Sequence, residues 1–538
     1  MTLQSSISQA LEMTSAYPDN DYSFLSVGNP NSKAVVHLFK NKRNLKNNII
    51  KFLEKYRKKS GKRPQWIKLD FVTDTEEARF EDVKADLINT RRNYVDYGIA
   101  LDEDWDTVFL PEEINVNAFV RPGKDKKGFI LSETNINTYL NKYKRIRGKY
   151  SHANMRGADV IKFRTKSFFI ENDQVYDLHA EGYMKGLRKV DHLAPELDDL
   201  ICKATDYLGN EIQDNGKYIY GYFPHFDKKI NFYNNLRHSS STYALIEGLA
   251  YCDKDITLAK KPLEYLIEHY LYEVDGIGHI YDDTKNINEI KLGQNAAFVF
   301  AVCEYLRYHP EEKGLLEKAQ LVANGILSMI DPDNAQTTHV INYPDLTTKE
   351  QFRVVYYDGE AALALLRLYQ IDHNEMWLKA VQGLFEKFIA EKYWQYHDHW
   401  LGYCTNELVQ IDPQRKYFEF GIQNVAPYLN YIRNRETTFP TFLEMLMATY
   451  HLIQKAKKSG HADLVEELID EKEFIETIHI RANYERVGFF YPELAMYFKN
   501  PARIINSFFI KHHGYRVRID DIEHYISGLV QYRKVFND

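Results

Sequence analysis

Phosphate-cradling glycine loops are missing from this chain. It has no Walker-type loop, and "DGIGHI" and "LGQNAAFV" lack the spacing and strand-to-helix setting of a dinucleotide site, so no nucleotide cofactor is implied. Cysteine is scarce. Cys202, Cys252, Cys303 and Cys404 stand far apart without a paired metal-ligand spacing, and the expectation is reduced structural thiols. No Gly-x-Ser-x-Gly elbow surrounds Ser239 to Ser241. Long apolar runs are absent too, as is a basic start followed by an apolar segment and a cleavage site, which predicts a soluble, cytoplasmic protein with no membrane insertion. Excess charge is small: 69 Lys and Arg against 76 Asp and Glu leave −7 over 538 residues, too little for a general attraction to nucleic acid.

Aromatics are plentiful, with 40 Tyr and 30 Phe, and their polar-tipped faces suit both sugar recognition and helix packing. Residues 1–160 read as a mixed α/β domain. "AVVHLF" (34–39), "WIKLDFV" (66–72) and "FILSETN" (129–135) are strand candidates there, and "LKNNIIKFLEKYRKK" (45–59) is an amphipathic helix. The basic stretch "KYKRIRGKYSHANMRG" (142–157) either meets phosphate or covers a domain surface. Residues 161–189 read as a linker or domain interface.

From about residue 190 a pattern recurs without repeating its letters: a charged helix, a Gly/Tyr-rich excursion, then a helix apolar on all sides. Segments such as Ala296–Val302 and Ala361–Leu366 carry no polar face, as expected of helices enclosed by others. Two concentric helical layers follow, either closed into a ring or stacked as an open solenoid; long loops entering apolar helices favour the ring. The predicted class is α+β overall, a mixed α/β domain followed by a large α/α toroid over 190–538.

That repeat, with "YYDGEAALALLRLY" (356–369) at an inner-helix start, resembles the α/α toroid, or six-hairpin glycosidase-like, superfamily of sugar hydrolases, unsaturated-uronyl hydrolases and sugar 2-epimerases. The resemblance covers roughly residues 190–538 and implies a carbohydrate or other small polar substrate at the loop-bearing end, with no cofactor and no metal.

Asp358 and Glu360 stand two apart at one helix start and so face different directions; each needs an acid from another repeat to form a proton-transfer pair. Asp358 is the first choice as general acid/base and Glu419 the partner to test, with Asp520 or Asp521 as alternatives. In "LRHSSSTYALIEGLAY" (236–251), Ser239 or Ser240 is expected to cap the helix. Arg237 is expected to fork onto an anion and His238 to move a proton or orient a hydroxyl. Gln294, Tyr357, His399, Trp400 and Tyr403 complete the expected substrate contacts, the last three in a loop, "YWQYHDHWLGY" (393–403). His397, His399, His512 and His513 lack a metal motif's spacing. The expected reaction is glycosidic-bond cleavage of an acidic or phosphorylated saccharide by paired carboxylates. Sugar epimerisation, which in the toroid class uses paired histidines, and binding without turnover are the alternatives. Oligomeric state is open.

Overall fold

The computed structural model describes residues 3–13, 21–125, 127–146 and 149–537. The chain divides into two units, one made of residues 1–191, 222–228 and 487–517, the other of 192–221, 229–486 and 518–538.

The first unit is built on an antiparallel sheet. Its strands are β1 (Ser23–Asn29), β2 (Ser32–Phe39), β3 (Trp66–Arg79), β4 (Gly98–Ala100), β5 (Val108–Phe109), β8 (Asp159–Glu171) and β9 (Gln174–Asp177), in the order β2-β1-β3-β8-β4-β5 with β9 on β8. A separate hairpin pairs β6 (Val120–Pro122) with β7 (Phe129–Leu131). Alternation along β3 decides its two faces. Ile67, Leu69 and Phe71 join Leu25, Val27, Ile49 and Leu53 in a core with α1 (Leu3–Met13) and α2 (Leu45–Ser60). Lys68 and Asp70 are buried on the other face. There the ammonium donates to Asp70 at 2.5 Å and to Glu112 at 2.9 Å, and Ser167 donates to Asp70 at 2.6 Å, so this buried cation is shared by two acids. A second core gathers Phe80, Val83 and Leu87 of α3 (Phe80–Asn89), Ile114 of α4 (Pro111–Val116) and Ile136 of α5 (Glu133–Tyr139).

Two expectations change here. Residues 161–189 are not a linker: they supply most of β8, which pairs with β3 along its length, and all of β9. Of "FILSETN" only Phe129–Leu131 is strand. Ser132 accepts from the amide of Asn135 and starts α5, a cap that ends the apolar strand before it.

The second unit is a double layer of helices. In chain order they are α6 (Leu193–Asn210), α7 (Asn235–Tyr251), α8 (Lys260–Tyr270), α9 (Leu292–Leu306), α10 (Lys313–Ser328), α11 (Tyr356–Asp372), α12 (Glu375–Ala390), α13 (His399–Ile411), α14 (Arg415–Gln423), α15 (Leu429–Asn434), α16 (Thr441–Lys458), α17 (Ala462–Leu468) and α18 (Glu471–Tyr484). The chain then forms α19 (Pro492–Ala495) in the first unit and returns as α20 (Ile519–Val535). Among the described residues, α7, α9, α11, α13, α16 and α20 each pack on the next, and α20 packs on α7, so the six close into a ring. Outside them lie α6 against α20 and α7, α8 against α7 and α9, α10 against α9 and α11, α12 against α11, α14 against α13 and α16, and α18 against α16 and α20. This is a closed α/α toroid and not an open solenoid.

Burial follows the composition. Every residue of α9 is buried, and its apolar side chains contribute roughly 1.5–3 kcal/mol each. The outer α10 buries only one stripe, Leu315, Ala319, Val322, Ala323 and Ile326. The Gly/Tyr-rich excursions between residues 271 and 350 form a five-stranded antiparallel sheet.

One cysteine expectation is overturned: Cys202 on α6 and Cys252, just after α7, form a disulfide with their Cα atoms 5.7 Å apart, because the hairpin folds residues 50 apart in sequence together. Cys303 and Cys404 are free and buried. Denatured without reductant, the protein should therefore titrate the two thiols of Cys303 and Cys404. Reduction should lower its stability by about 2–4 kcal/mol, read from the denaturation midpoint. Four thiols before reduction would contradict the pairing.

Candidate functional site

Hairpin alternation makes the inner helices run in one direction, so their amino-terminal turns gather at one end of the ring. Unpaired amides and helix dipoles there favour acids, and the first turns are rich in them. α11 brings Asp358 and Glu360, α16 brings Glu444, and α20 brings Asp520, Asp521 and Glu523. Asp398 caps α13 by accepting from the amide of Leu401 at 3.0 Å. Glycine lets these helix starts approach. A Cβ on Gly293 of α9 would fall 1.9 Å from Glu360 Oε2, and one on Gly359 would fall 2.9 Å from the backbone of Trp400 and Leu401.

At the centre, the rings of His399 and His524 lie edge to face with centroids 5.1 Å apart. His524 Nδ1 donates to Glu444 Oε2 at 2.9 Å, and Glu523 Oε1 stands 3.8 Å away. Burial alone would lower the imidazole pKa, but the carboxylates of Glu444 and Glu523 outweigh it and push it up to about 10. His399 Nδ1 is 3.2 Å from Asp398 Oδ1, and its Nε2 is buried without a protein partner among the described residues. The Asp398 carboxylate lies on the Nδ1 side of the ring and the unpartnered Nε2 on the other.

Around this pair stand carboxyls that burial makes weak acids. Glu523, which accepts from Ser240 at 2.6 Å, is pushed up to about 8 by burial and by Glu444 against the pull of His524. Glu485 is also pushed up to about 8 by burial, with Arg481 opposing and Glu444 adding to it. Glu360 rises well above the usual carboxyl range through burial, then Asp398 and Glu523, and its Oε2 has no partner among the described residues. Trp400 floors the group, packed on Phe300 at 5.2 Å and His399 at 4.8 Å. Tyr356, 46% exposed, stands 6.2 Å from His399.

Of the residues named from sequence, Glu360, His399 and Trp400 join this group, and Tyr403 lies one turn further in, its hydroxyl donating to Glu444 at 3.1 Å. These three of "YWQYHDHWLGY", His399, Trp400 and Tyr403, are helical and not in a loop, because Asp398 caps α13. Tyr357 lies against Gly293 and 5.4 Å from His339. Gln294 donates to Ile280 O at 3.0 Å and leaves Oε1 buried without a partner. Arg237 pairs with Asp520 at 2.9 Å and donates to Tyr220 at 2.6 Å, while Asp521 pairs with Arg518 at 3.0 Å.

Three assignments do not survive the geometry. Glu419 is exposed on the outer helix α14, accepting only from Gln423 at 3.2 Å, so it is no partner for Asp358. Asp358 accepts from Thr337 at 2.6 Å and His339 at 3.1 Å, which ties it to the excursion before α11. His238 is spent between helices: its ring bridges Tyr233 and Pro262 O and stacks on Tyr265, and burial pushes its pKa down to about 3. The serines beside it are not caps, since Asn234 caps α7.

Sequence reasoning missed Glu444, Glu523, His524 and Glu485. The first three were marked: Glu444 is the lone acid in "TFLEMLMATY", and Asp520, Glu523 and His524 share one face of α20 at i, i+3 and i+4. His399, Glu444 and His524 each offer a ligand atom, all within 4.8 Å of one another, which would suit a cation. The proton that Glu444 and Glu523 hold on His524 competes with that use.

Because the folded state binds the Glu523 proton between the ordinary 4.5 and about 8, stability is lost as pH rises through that window. His524, raised from 6.5 to about 10, adds a loss as pH rises through about 10. Glu523→Gln removes the first term. Its Tm relative to the unaltered protein should therefore rise between about pH 5 and pH 9, by an amount of order 1 kcal/mol or more in stability. A difference independent of pH would contradict the raised carboxyl.

No family model and no curated protein matches the chain. Among solved structures it is similar to a cellobiose 2-epimerase from Bacillus thermoamylovorans B4167, at 12% identity over 64% of this chain and 100% of that one, TM-score 0.47. It is also similar to a D-mannose isomerase, at 12% over 64% and 98%, TM-score 0.48, and to the GH76A α-1,6-mannanase from Salegentibacter sp. HEL1_6, at 11% over 63% and 99%, TM-score 0.43. The closed ring stands on its own helix contacts and not on these likenesses.

Proposed function

We propose that the helix-start end of the ring is the active site of a carbohydrate-active enzyme that moves a proton at the carbon beside a sugar carbonyl, an epimerase or aldose–ketose isomerase. One observation carries this reading: His399, whose Nε2 has no partner among the described residues, faces His524, whose Nδ1 lies 2.9 Å from Glu444 and 3.8 Å from Glu523. In this reading His399 takes the carbon-bound proton through Nε2, while Asp398 steadies the resulting imidazolium. His524 stabilises the charge that develops on the carbonyl oxygen, a preorganised cation in a site that excludes water. Isomerisation returns that proton from His399 to the neighbouring carbon while the hydroxyl there gives up its proton to the former carbonyl oxygen; epimerisation needs a proton delivered to the opposite face, which in this reading falls to His524. Glu360, a carboxyl kept neutral, donates to a sugar hydroxyl, and Tyr356 and Trp400 offer faces for the ring's C–H bonds.

The inferred substrate is a neutral sugar and not the acidic or phosphorylated one expected from sequence. Arg237, the guanidinium expected to hold an anion, is already engaged by Asp520 at 2.9 Å. Glycosidic hydrolysis keeps one support of its own: Glu360, a weak acid beside Asp398, is the kind of carboxyl that protonates a leaving oxygen.

Incubated with mannose, glucose, fructose, N-acetylglucosamine or cellobiose in heavy water, the protein should incorporate deuterium at the carbon next to the carbonyl, followed by NMR. His399→Asn and His524→Gln should each slow this about a hundredfold or more. No exchange with any sugar, or exchange surviving in His399→Asn, would overturn the reading. Release of new reducing ends from oligosaccharides, lost in Glu360→Gln and kept in His399→Asn, would establish hydrolysis instead.

A further inference from the structure

The first unit holds a cavity of about 260 Å³ lined by Lys33, Asn117, Lys142, His225, Phe498 and Lys499, all residues of that unit. Lys33, on β2, donates to Asn117 Oδ1 at 2.5 Å, and its ammonium sits 5.3 Å and 4.9 Å from the ring centres of Tyr139 and Tyr143. The acid that acts on it, Glu113, is already engaged by Lys144 at 2.7 Å and by the Tyr139 hydroxyl. His225 is wedged among Tyr515 at 5.5 Å and Phe498 at 6.2 Å, with both ring nitrogens buried and without a protein partner among the described residues. Three lysines and an unused imidazole thus line one hollow, in which Lys499 pairs with Asp227 at 3.1 Å while Lys33 and Lys142 form no salt bridge among the described residues. Lys142 opens the basic stretch that the ring's chemistry leaves without a use.

We propose that this cavity binds a small anionic group, a phosphate or carboxylate, between the ammonium of Lys33 and the imidazole of His225, with Lys142 and Lys499 adding positive charge. A half-buried ammonium with no salt bridge of its own among the described residues and a buried ring nitrogen without an acceptor are groups an anion's oxygens satisfy, and the exposed Lys142 and Lys499 add charge at the rim. The proposal does not rest on the reading of the ring.

Binding is linked to protonation. Burial, opposed by Glu113 and helped by Lys142, pushes the Lys33 pKa down to about 7. Burial, then Arg92 and Lys33, pushes His225 down to about 3, so it meets the ligand neutral. Lys144, Tyr139 and Tyr143 complete the titratable groups around Lys33, and Tyr515 stands beside His225. An anion draws a proton onto Lys33, so affinity falls as pH rises above about 7 and binding there takes up a proton.

The test is calorimetry on the full chain with inorganic phosphate, acetate and glucose 6-phosphate, between about pH 6 and pH 9, in buffers of differing ionisation heat. Expected is saturable binding, weakened about tenfold or more in Lys33→Met and in His225→Phe, with proton uptake that vanishes in Lys33→Met. Lys33→Met keeps the apolar stem, and its Tm should not fall. Lys33→Arg, charged at every pH, should still bind phosphate without proton uptake, which keeps the test open should the other variant fold poorly. Preference for glucose 6-phosphate assigns the site to a phosphorylated sugar, equal affinity to free phosphate, and preference for acetate to a carboxylate. No binding of any probe, or equal binding by the protein and Lys33→Met, would overturn the proposal.

Discussion

Helix dipoles pointing the same way resist being brought together, and the ring gathers six of them. Parallel inner helices crowd their positive ends and unpaired amides around one axis, and carboxyls answer them: Asp358, Glu444, Asp520 and Asp521 in first turns, Asp398 as a cap, and Glu360 and Glu523 just beyond. Once buried, those acids are themselves too many for the space. Burial and mutual repulsion leave Glu360, Glu485 and Glu523 weak acids, and His524 supplies the counter-charge. The chemistry proposed for this end is a consequence of that balance, since the same carboxyls that offset the dipoles hold one imidazole charged and set another beside it with a free nitrogen.

The apolar walls make the balance steep. Trp400 and Phe300 close the floor, and deeper in the ring Tyr243, Glu247, Glu304 and Arg367 form a second buried polar layer, where Arg367 reaches Glu304 and Glu407 at 3.2 Å each. Both levels are buried, so each charge acts on its neighbours through a poorly screening interior.

Much of the ring was legible because it is written in periodicity. Stretches apolar on every side marked α9 and α11 as inner helices, and the charged stripe of α10 marked an outer one. Glu360 stood out as an acid at an inner-helix start, and His399 and Trp400 as polar and aromatic groups in a stretch read as a loop. What sequence hid depended on three dimensions. The partnership of Cys202 and Cys252 needs the hairpin closed. His238 lies only one residue from Arg237 and yet turns outward to Pro262, because a helix changes face within two residues. Glu419 was read as the acid partner of Asp358 until the closed ring put α14 outside. His524 was overlooked beside Asp520 and Asp521, although its spacing from Glu523 and Asp520 was readable. In the other unit, β3 and α2 followed from alternation and amphipathicity, whereas the pairing of β3 with β8 joins segments too far apart for local pattern to connect.

The central claim is that carboxylates at the helix starts hold the imidazole of His524 protonated. The direct measurement is an NMR titration of its ring nitrogens in the 15N-labelled protein, with Glu444→Gln as the comparison. The account predicts an imidazolium that persists through neutral pH and titrates near about 10, falling toward the ordinary histidine range in the variant. A His524 that titrates near the ordinary 6.5 in the unaltered protein would contradict it.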